Sequence, residues 1–492
     1  MLWLVAAAAA MPGGAPLQPL EPLPESMAGR CLAMSHDKVG KNLSYPFDAE
    51  EHFQHLHREL FGRFGGWDHP GNKPIFGAPE PNEAVYCWGR GSNGTGRFSG
   101  MCAPDYERMW HAFGRRKLFT EGQLENDTLA SGPSWPLVKL GRPLGETFRG
   151  FVPLFVPWFS MNYLHCGTTL FRVLQELLRP DVAYVTVSFH DVGLRLNPLP
   201  NLLVLGMGGF AHVPLPEINP HIDTVEAVPY RKLGAAGGPW QQQDLSWKQQ
   251  KRFTNRSYLV SFLGSTNPDP EQVNDQRSLF RRAMCDRVEQ YAADCGDCFR
   301  RKLCTTADNY TEYAYASTVT LCPRGYGRNS MRLGEILQAR QLPIAVYDDL
   351  SFVPYASLFK EIGWVSSISE LPKLLETLRH TPEEEFQRRQ ARLTEVIGSH
   401  FSPAGVMRQV ELFFRGEGDL RCQPMPKCPS SDCVYRNNSF TCTQRDELVD
   451  PVTQCSPGKG WPGNLAKAEN GECQTRQQLD TWVKSPGASP WS

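Results

Sequence analysis

Arg324, Arg328 and Arg332 recur every fourth residue, with Ser330 between the last two and Glu335 three residues on. If this stretch is helical, Arg332 and Glu335 share a face, because residues three apart are neighbours on a helix surface. A guanidinium so placed can hold a phosphate through paired N–H bonds, and a carboxylate can hold sugar hydroxyls. Together they suit a nucleotide-sugar; a plain surface ion pair is the other outcome this spacing allows. His190 and Asp191 form a second chemically capable pair. A His near neutral pKa can take a proton from a hydroxyl, and Asp191 can orient it or act as the base itself. The same pair could instead cap a loop or bond to backbone.

The elements that must position these groups are legible around them. Thr318 to Cys322 is short, apolar and β-branched, as a buried strand requires. A basic loop with Gly325 and Gly327 follows, then a helix that Asn329 or Ser330 can cap by accepting a free N–H. Pro343 marks a second strand that runs to Asp348 and Asp349. A strand–loop–helix–strand unit puts the helix N-terminus at one edge of a parallel sheet, where anions bind. Upstream, Phe151 to Pro157, Val182 to Phe189 and Leu202 to Met207 read as strands, with Leu164 to Leu178 as a helix. Tyr258 to Leu263 (strand), Gln276 to Tyr291 and Tyr310 to Ala316 (helices) open a second series. It closes with a short strand near Trp364 and helices at 370–379, 382–399 and 405–414. Strands alternating with helices argue for parallel sheets. His190 and Asp191 fall at the C-terminal end of a strand, where open α/β sheets bind ligands.

These segments resemble the exostosin family of glycosyltransferases. The resemblance is carried by Cys322, Pro323, Arg324 and Gly325; by Ser330, Arg332 and Glu335; and by Pro343, Ile344 and Asp348. Phe151 to Pro157 is similar to the family's FFVP strand, Val187 to Gly193 to its His-Asp-x-Gly segment, and Ser257 to Gly264 to the strand that opens its donor half. The likeness covers about residues 150–415, in the family's order. With the two successive strand–helix series, it implies an α/β fold of the GT-B type, two Rossmann-like lobes facing a cleft; the cysteine spacing of the tail adds the expectation of a small C-terminal disulfide-rich segment. The resemblance implies an acceptor-side lobe over 31–240 and a nucleotide-sugar donor lobe over 255–415, with a hinge between about 229 and 256. In such folds a C-terminal helix often crosses back to the first lobe, and 405–414 is the candidate. The implied activity is transfer of a sugar, with inversion, from a UDP-sugar to an oligosaccharide, polysaccharide or glycoprotein glycan. Arg324, Gly325, Gly327, Asn329, Ser330, Arg332, Glu335 and Asp348 would bind the donor, with Glu335 on the ribose. The competing class is a scaffold that has lost activity and only binds carbohydrate. Where the family usually has Gly before the Pro-Val strand, this chain has Ala339–Arg340–Gln341, so that turn must be built differently.

Bulk properties narrow the partners. The net charge is −1 over 492 residues, so no global field recruits nucleic acid or a membrane surface. Leu2 to Met11 is apolar, but about ten residues span only ~15 Å of helix, half a bilayer core. Residues 1–15 are therefore expected to be a signal peptide or a truncated anchor, and 16–30 a stem; membrane association follows only if an anchor is present. Fifteen cysteines and sequons at Asn42, Asn93, Asn126, Asn255, Asn309 and Asn437 fit the secretory pathway, in the Golgi lumen or secreted. The odd count leaves at least one thiol unpaired, and Cys322, in a buried strand, is the candidate. Cys31, Cys87 and Cys102 are expected to staple an otherwise irregular stretch from 31 to 149. Cys422, Cys428, Cys433, Cys442, Cys455 and Cys473 are expected to form a module over 420–475. Cys295 and Cys298, with Cys285 and Cys304 nearby, have zinc-like spacing, but disulfides are the better account in an oxidising compartment. No Asp-x-Asp sits in a strand–turn context. No metal and no other cofactor is expected.

Overall fold

A computed structural model describes residues 31, 43, 45–64, 85–88, 101–104, 106–125, 139–156, 158, 173–188, 201–207, 211–218, 230–232, 241–243, 256, 258–262, 264, 276–294, 310–325, 329–347, 351–423, 433–436 and 439–442. The protein is mixed α/β, with two separate four-stranded sheets whose strands are all parallel.

Helix α1 (Ala49–Phe64), strands β1 (Val85–Trp88) and β2 (Met101–Pro104), and helices α2 (Tyr106–Leu118), α3 (Glu121–Glu125) and α4 (Leu144–Phe148) precede the first sheet. The described parts of 31–149 thus carry regular helices and a strand pair, which corrects the reading of that stretch as irregular. Phe53, Leu56 and Leu60 on α1, and Tyr106, Met109 and Trp110 on α2, recur at helical spacing and are buried. Their stripes are interrupted by His57, His111 and arginines, which blur the period in the sequence.

The first sheet holds β3 (Val152–Pro153), β4 (Tyr184–Ser188), β5 (Leu202–Gly206) and β6 (Val213–Pro214), in that spatial order. Every residue of these strands is buried, as a parallel sheet covered on both faces requires. In the expected hinge, β7 (Tyr230–Lys232) pairs antiparallel with β8 (Gln241–Gln243); the rest of that stretch lies outside the described residues.

The second series runs β9 (Tyr258–Ser261), α5 (Gln276–Asp294), α6 (Tyr310–Tyr315), β10 (Ser317–Pro323), α7 (Met331–Gln338), β11 (Leu342–Val346), α8 (Ala356–Ile362), β12 (Trp364–Ser366), α9 (Leu371–Arg379), α10 (Glu383–His400) and α11 (Pro403–Phe414). Its sheet order is β12-β11-β10-β9. Both sheets are therefore sequential among the described strands, without the mid-sheet reversal of a doubly wound fold. A hairpin of β13 (Cys433–Arg436) and β14 (Ser439–Cys442) follows.

The two sheets are not independently cored. One cluster joins the first sheet, α1 and α2 to Cys322 of β10, Leu333, Ile336 and Leu337 of α7, and Ala345 of β11. A second, smaller cluster covers the other face of the second sheet with α5 and α9. Helix α11 packs back on the first lobe as expected. Phe414 meets Trp110, Phe148 and Phe151, and Glu411 pairs with Lys117 at 2.9 Å. Cys422 is bonded to Cys31, 391 residues away. It therefore does not belong to a closed six-cysteine module, and Cys31 does not staple to Cys87 or Cys102. The α11 helix has already carried the chain back beside the first lobe, where Gln423 N–H donates to the His212 carbonyl (2.9 Å). Among the described residues no helix is long and apolar enough to cross a membrane.

Candidate anion and nucleotide site at the start of α7

The site begins with the pleat of the second sheet. Thr320 and Cys322 of β10 project to the face that carries α7, whereas Val319 and Leu321 project to the opposite core. Beyond Pro323 the chain turns through Arg324 and Gly325, and Gly325 N–H bonds to the Asn329 carbonyl (2.7 Å), closing the basic loop. Ser330 then occupies the N-cap position with extended backbone (φ −142°, ψ 115°).

Of the two expected capping residues, Asn329 accepts an N–H at the helix start and Ser330 does not. Asn329 Oδ1 accepts the Ser330 N–H (2.8 Å), while the Ser330 hydroxyl makes no cap bond. It is buried to 2 % exposure and has no hydrogen-bond partner. An unmet buried hydroxyl costs about 1–3 kcal/mol, and that cost is carried at the start of this helix. Thr320 Oγ1, 1 % exposed on the strand beneath α7, is also unmet.

Arg332 and Glu335 project from the first two turns and meet at 3.3 Å, with side-chain exposures of 17 % and 10 %. The ion pair that the spacing allowed is thus formed, in a half-dry setting. Cys322 lies beneath it as a free, buried thiol. Burial pushes that thiol well up, Arg332 pulls it down and Glu335 pushes it up, so both charges reach this strand. Arg324 is half-buried, and its carbonyl accepts Arg281 Nη2 of α5 at 3.5 Å. Arg281 also lies over the Phe262 ring. It brings a further cation to this edge that the sequence did not suggest, since only packing places α5 beside the loop.

The first lobe reaches the same helix. The segment 215–218, just past the C-terminal end of β6, is buried throughout. The Leu215 carbonyl accepts Asn329 Nδ2 (3.1 Å), and the Pro216 carbonyl accepts the Tyr106 hydroxyl (2.6 Å). A Cβ on Gly334 would lie 1.6 Å from the Glu217 carbonyl oxygen, so only glycine admits this crossing. Strand ends of both sheets therefore meet at α7. Glu217, a buried carboxylate at that seam, is a second residue the sequence reading missed; it sits inside an apolar, proline-rich run with no motif around it.

The helix ends on the turn that lacks a glycine. Arg340 takes the left-handed conformation itself (φ 57°). Arg340 N–H bonds to the Leu337 carbonyl and Gln341 N–H to the Ile336 carbonyl, both at 2.9 Å, the two-bond glycine-type helix end made with arginine. Gln390 Nε2 holds the Arg340 carbonyl (2.8 Å) and fixes it.

Of the expected donor-binding residues, Arg324, Gly325, Asn329, Ser330, Arg332 and Glu335 are brought together, although the Asn329 side chain is committed to protein bonds. Gly327 and Asp348 lie outside the described residues, as do His190 and Asp191, which follow β4 by two and three positions. His212 is engaged structurally: its Nδ1 accepts the Val204 N–H (3.0 Å). Among the described residues no group of three or more His, Cys, Asp or Glu could hold a metal ion.

No protein-family model and no curated relative matches the sequence. A solved structure, the crystal structure of TarM, aligns with 7 % identity over 51 % of this chain and 58 % of its own length, at a TM-score of 0.21. The alignment leaves about two-fifths of that chain uncovered, and at that TM-score the likeness carries neither fold nor chemistry to this protein.

Proposed function

We propose that the chain is a glycosyltransferase of the exostosin type, built as a GT-B pair of lobes. It would move a sugar from a UDP-sugar to a hydroxyl of an oligosaccharide, polysaccharide or glycoprotein glycan. The observation that carries this reading is the unpartnered, buried Ser330 hydroxyl at the start of α7, between Arg324 and the Arg332–Glu335 pair in the chain. A diphosphate suits that edge. The helix N-terminus contributes partial positive charge and the arginines contribute full charges, both aimed where the leaving group accumulates negative charge. Glu335 holds the ribose hydroxyls. His190 or Asp191, just beyond β4, takes the acceptor proton, and direct displacement inverts the anomeric centre. The arginines and the dipole serve as the leaving-group electrophile, so no divalent ion is required. The Cys31–Cys422 bond supports an oxidising, secretory setting such as the Golgi lumen.

One observation favours a second reading, a carbohydrate-binding scaffold without activity. Arg332 and Glu335 already satisfy each other at 3.3 Å, and a donor would have to draw them apart. Nucleotide release from a panel of UDP- and GDP-sugars, with and without EDTA and with mixed glycan acceptors, separates the two. A transferase releases nucleotide from one donor, is indifferent to EDTA, and loses at least about a hundredfold in Arg332→Ala, the scale of removing one electrostatic donor. A scaffold that binds glycan yet releases nothing from any donor establishes the second reading.

A further inference from the structure

Asn329 is bonded in three directions. Its Nδ2 donates to the Leu215 carbonyl, its Oδ1 accepts the Ser330 N–H, and its own carbonyl accepts the Gly325 N–H. The first bond spans 114 residues of sequence and joins the strand ends of the two sheets. The other two close the basic loop and fix the residue that starts α7. Asn329 is 5 % exposed, so water does not compete for these bonds. About one turn further along α7, Gly334 rests against the Glu217 carbonyl. The segment 215–218 is thus held at two points on one short helix.

The neighbour in sequence is Ser330, whose buried hydroxyl has no partner. A ligand that takes this hydroxyl acts on the same backbone that Asn329 fastens to the first lobe. A packed joint of this kind holds one arrangement or gives way, rather than deforming smoothly.

We propose that Asn329 is a positioning residue that couples the seating of segment 215–218 on α7 to occupancy of the α7 N-terminus. This rests on the nucleotide-sugar reading above and names what would regulate that site. Coupling of this kind is reciprocal: whatever the seated segment adds to nucleotide affinity, the nucleotide adds to the seating.

The test is backbone hydrogen exchange on the full chain with and without UDP, beside a UDP titration. Asn329→Asp keeps the size and the acceptor for Ser330 N–H but sets a carboxylate oxygen against the Leu215 carbonyl. In the wild type, UDP is expected to slow exchange in both 331–338 and 211–218. In Asn329→Asp, UDP should bind about tenfold more weakly and, at saturation, slow 331–338 only. Should that variant not fold, Asn329→Ala gives the same two readouts. Unchanged UDP affinity in the variant, or UDP protection of 211–218 equal to the wild type, overturns the coupling and leaves the donor site standing. A wild-type chain in which UDP slows nothing in 331–338 overturns the donor site, and the coupling with it.

Discussion

The two faces of the second sheet are built from opposite materials. One carries Val260, Val319 and Leu342 in one row and Leu321 beside Ile344 in the next, all buried against α5 and α9. The other carries Ser261, Thr320 and Pro343, then Cys322 and Ala345, in the same registers. Large aliphatic rows bury only hydrocarbon on their side. Small and polar rows leave room for α7 to lie close and for the first lobe to close over it. The proposed donor site lies on the second face, where, among the described residues of this sheet and α7, unmet hydroxyls and half-buried charges coincide. The contrast separates an aliphatic face that holds the sheet to α5 and α9 from a face that leaves polar groups unmet beneath α7.

The largest effect should come from breaking the apolar face. Leu321→Ala removes a fully buried side chain and is expected to lower unfolding stability by about 2–5 kcal/mol, read as a urea midpoint shift at constant slope. Little change there would mean that the two faces do not divide the work as described.

Acid should strike the core shared with the first lobe. Phe155 N–H donates to His57 Nε2 (3.1 Å), and His57 Nδ1–H donates to the Phe53 carbonyl (2.8 Å), so a second ring proton would confront an N–H. Burial lowers His57 from 6.5 to about 4. Between those values the folded chain binds fewer protons than the unfolded one. Stability is therefore full above about pH 6.5 and falls as pH drops towards 4, by roughly 3 kcal/mol for this group. Thermal melts across pH 7 to 4 check it, and His57→Gln should make the dependence shallower by its share, burial of His111 and His52 supplying the rest.

Gly334→Ala sharpens the comparison at the seam. Its Cβ cannot coexist with the Glu217 carbonyl, so the helix and the first-lobe segment must part, at a cost of about 1–3 kcal/mol. A melting temperature equal to the wild type would show that the seam is loose.

The smallest effect on stability is the most telling. Ser330→Ala deletes an unmet buried hydroxyl and should leave stability unchanged or raise it by up to about 1 kcal/mol, while UDP affinity falls about fivefold. Isothermal titration beside a thermal melt reads both. Loss of stability without loss of affinity would return Ser330 to a purely structural role.

Much of this was legible in local pattern. The strand through Thr318–Cys322, the helix from Ser330, the strand from Pro343 and the returning helix near 405–414 all follow from short-range rules of burial and period. Helices α1 and α2 were not legible, because their stripes mix histidine and arginine with aromatics and only the packed core reveals which side is buried. Of the two capping candidates, Asn329 accepts the N–H at the helix start and Ser330 does not. A capping preference states that Asn329 or Ser330 can bond the helix start; it does not state that Asn329 turns to Leu215 and leaves Ser330 open.

The sequence alone determined an α/β chain of two strand–helix series, with cationic and carboxylate groups at the start of one helix. Those properties depend on spacing within a few residues, which sequence encodes directly. The tertiary structure alone decided that β6 and α7 meet, that Arg281 joins the basic loop, that Cys31 finds Cys422, and that the two sheets share a core. Each of those joins residues far apart in the chain, and such contacts are set by the collective fit of side-chain volumes rather than by any local preference.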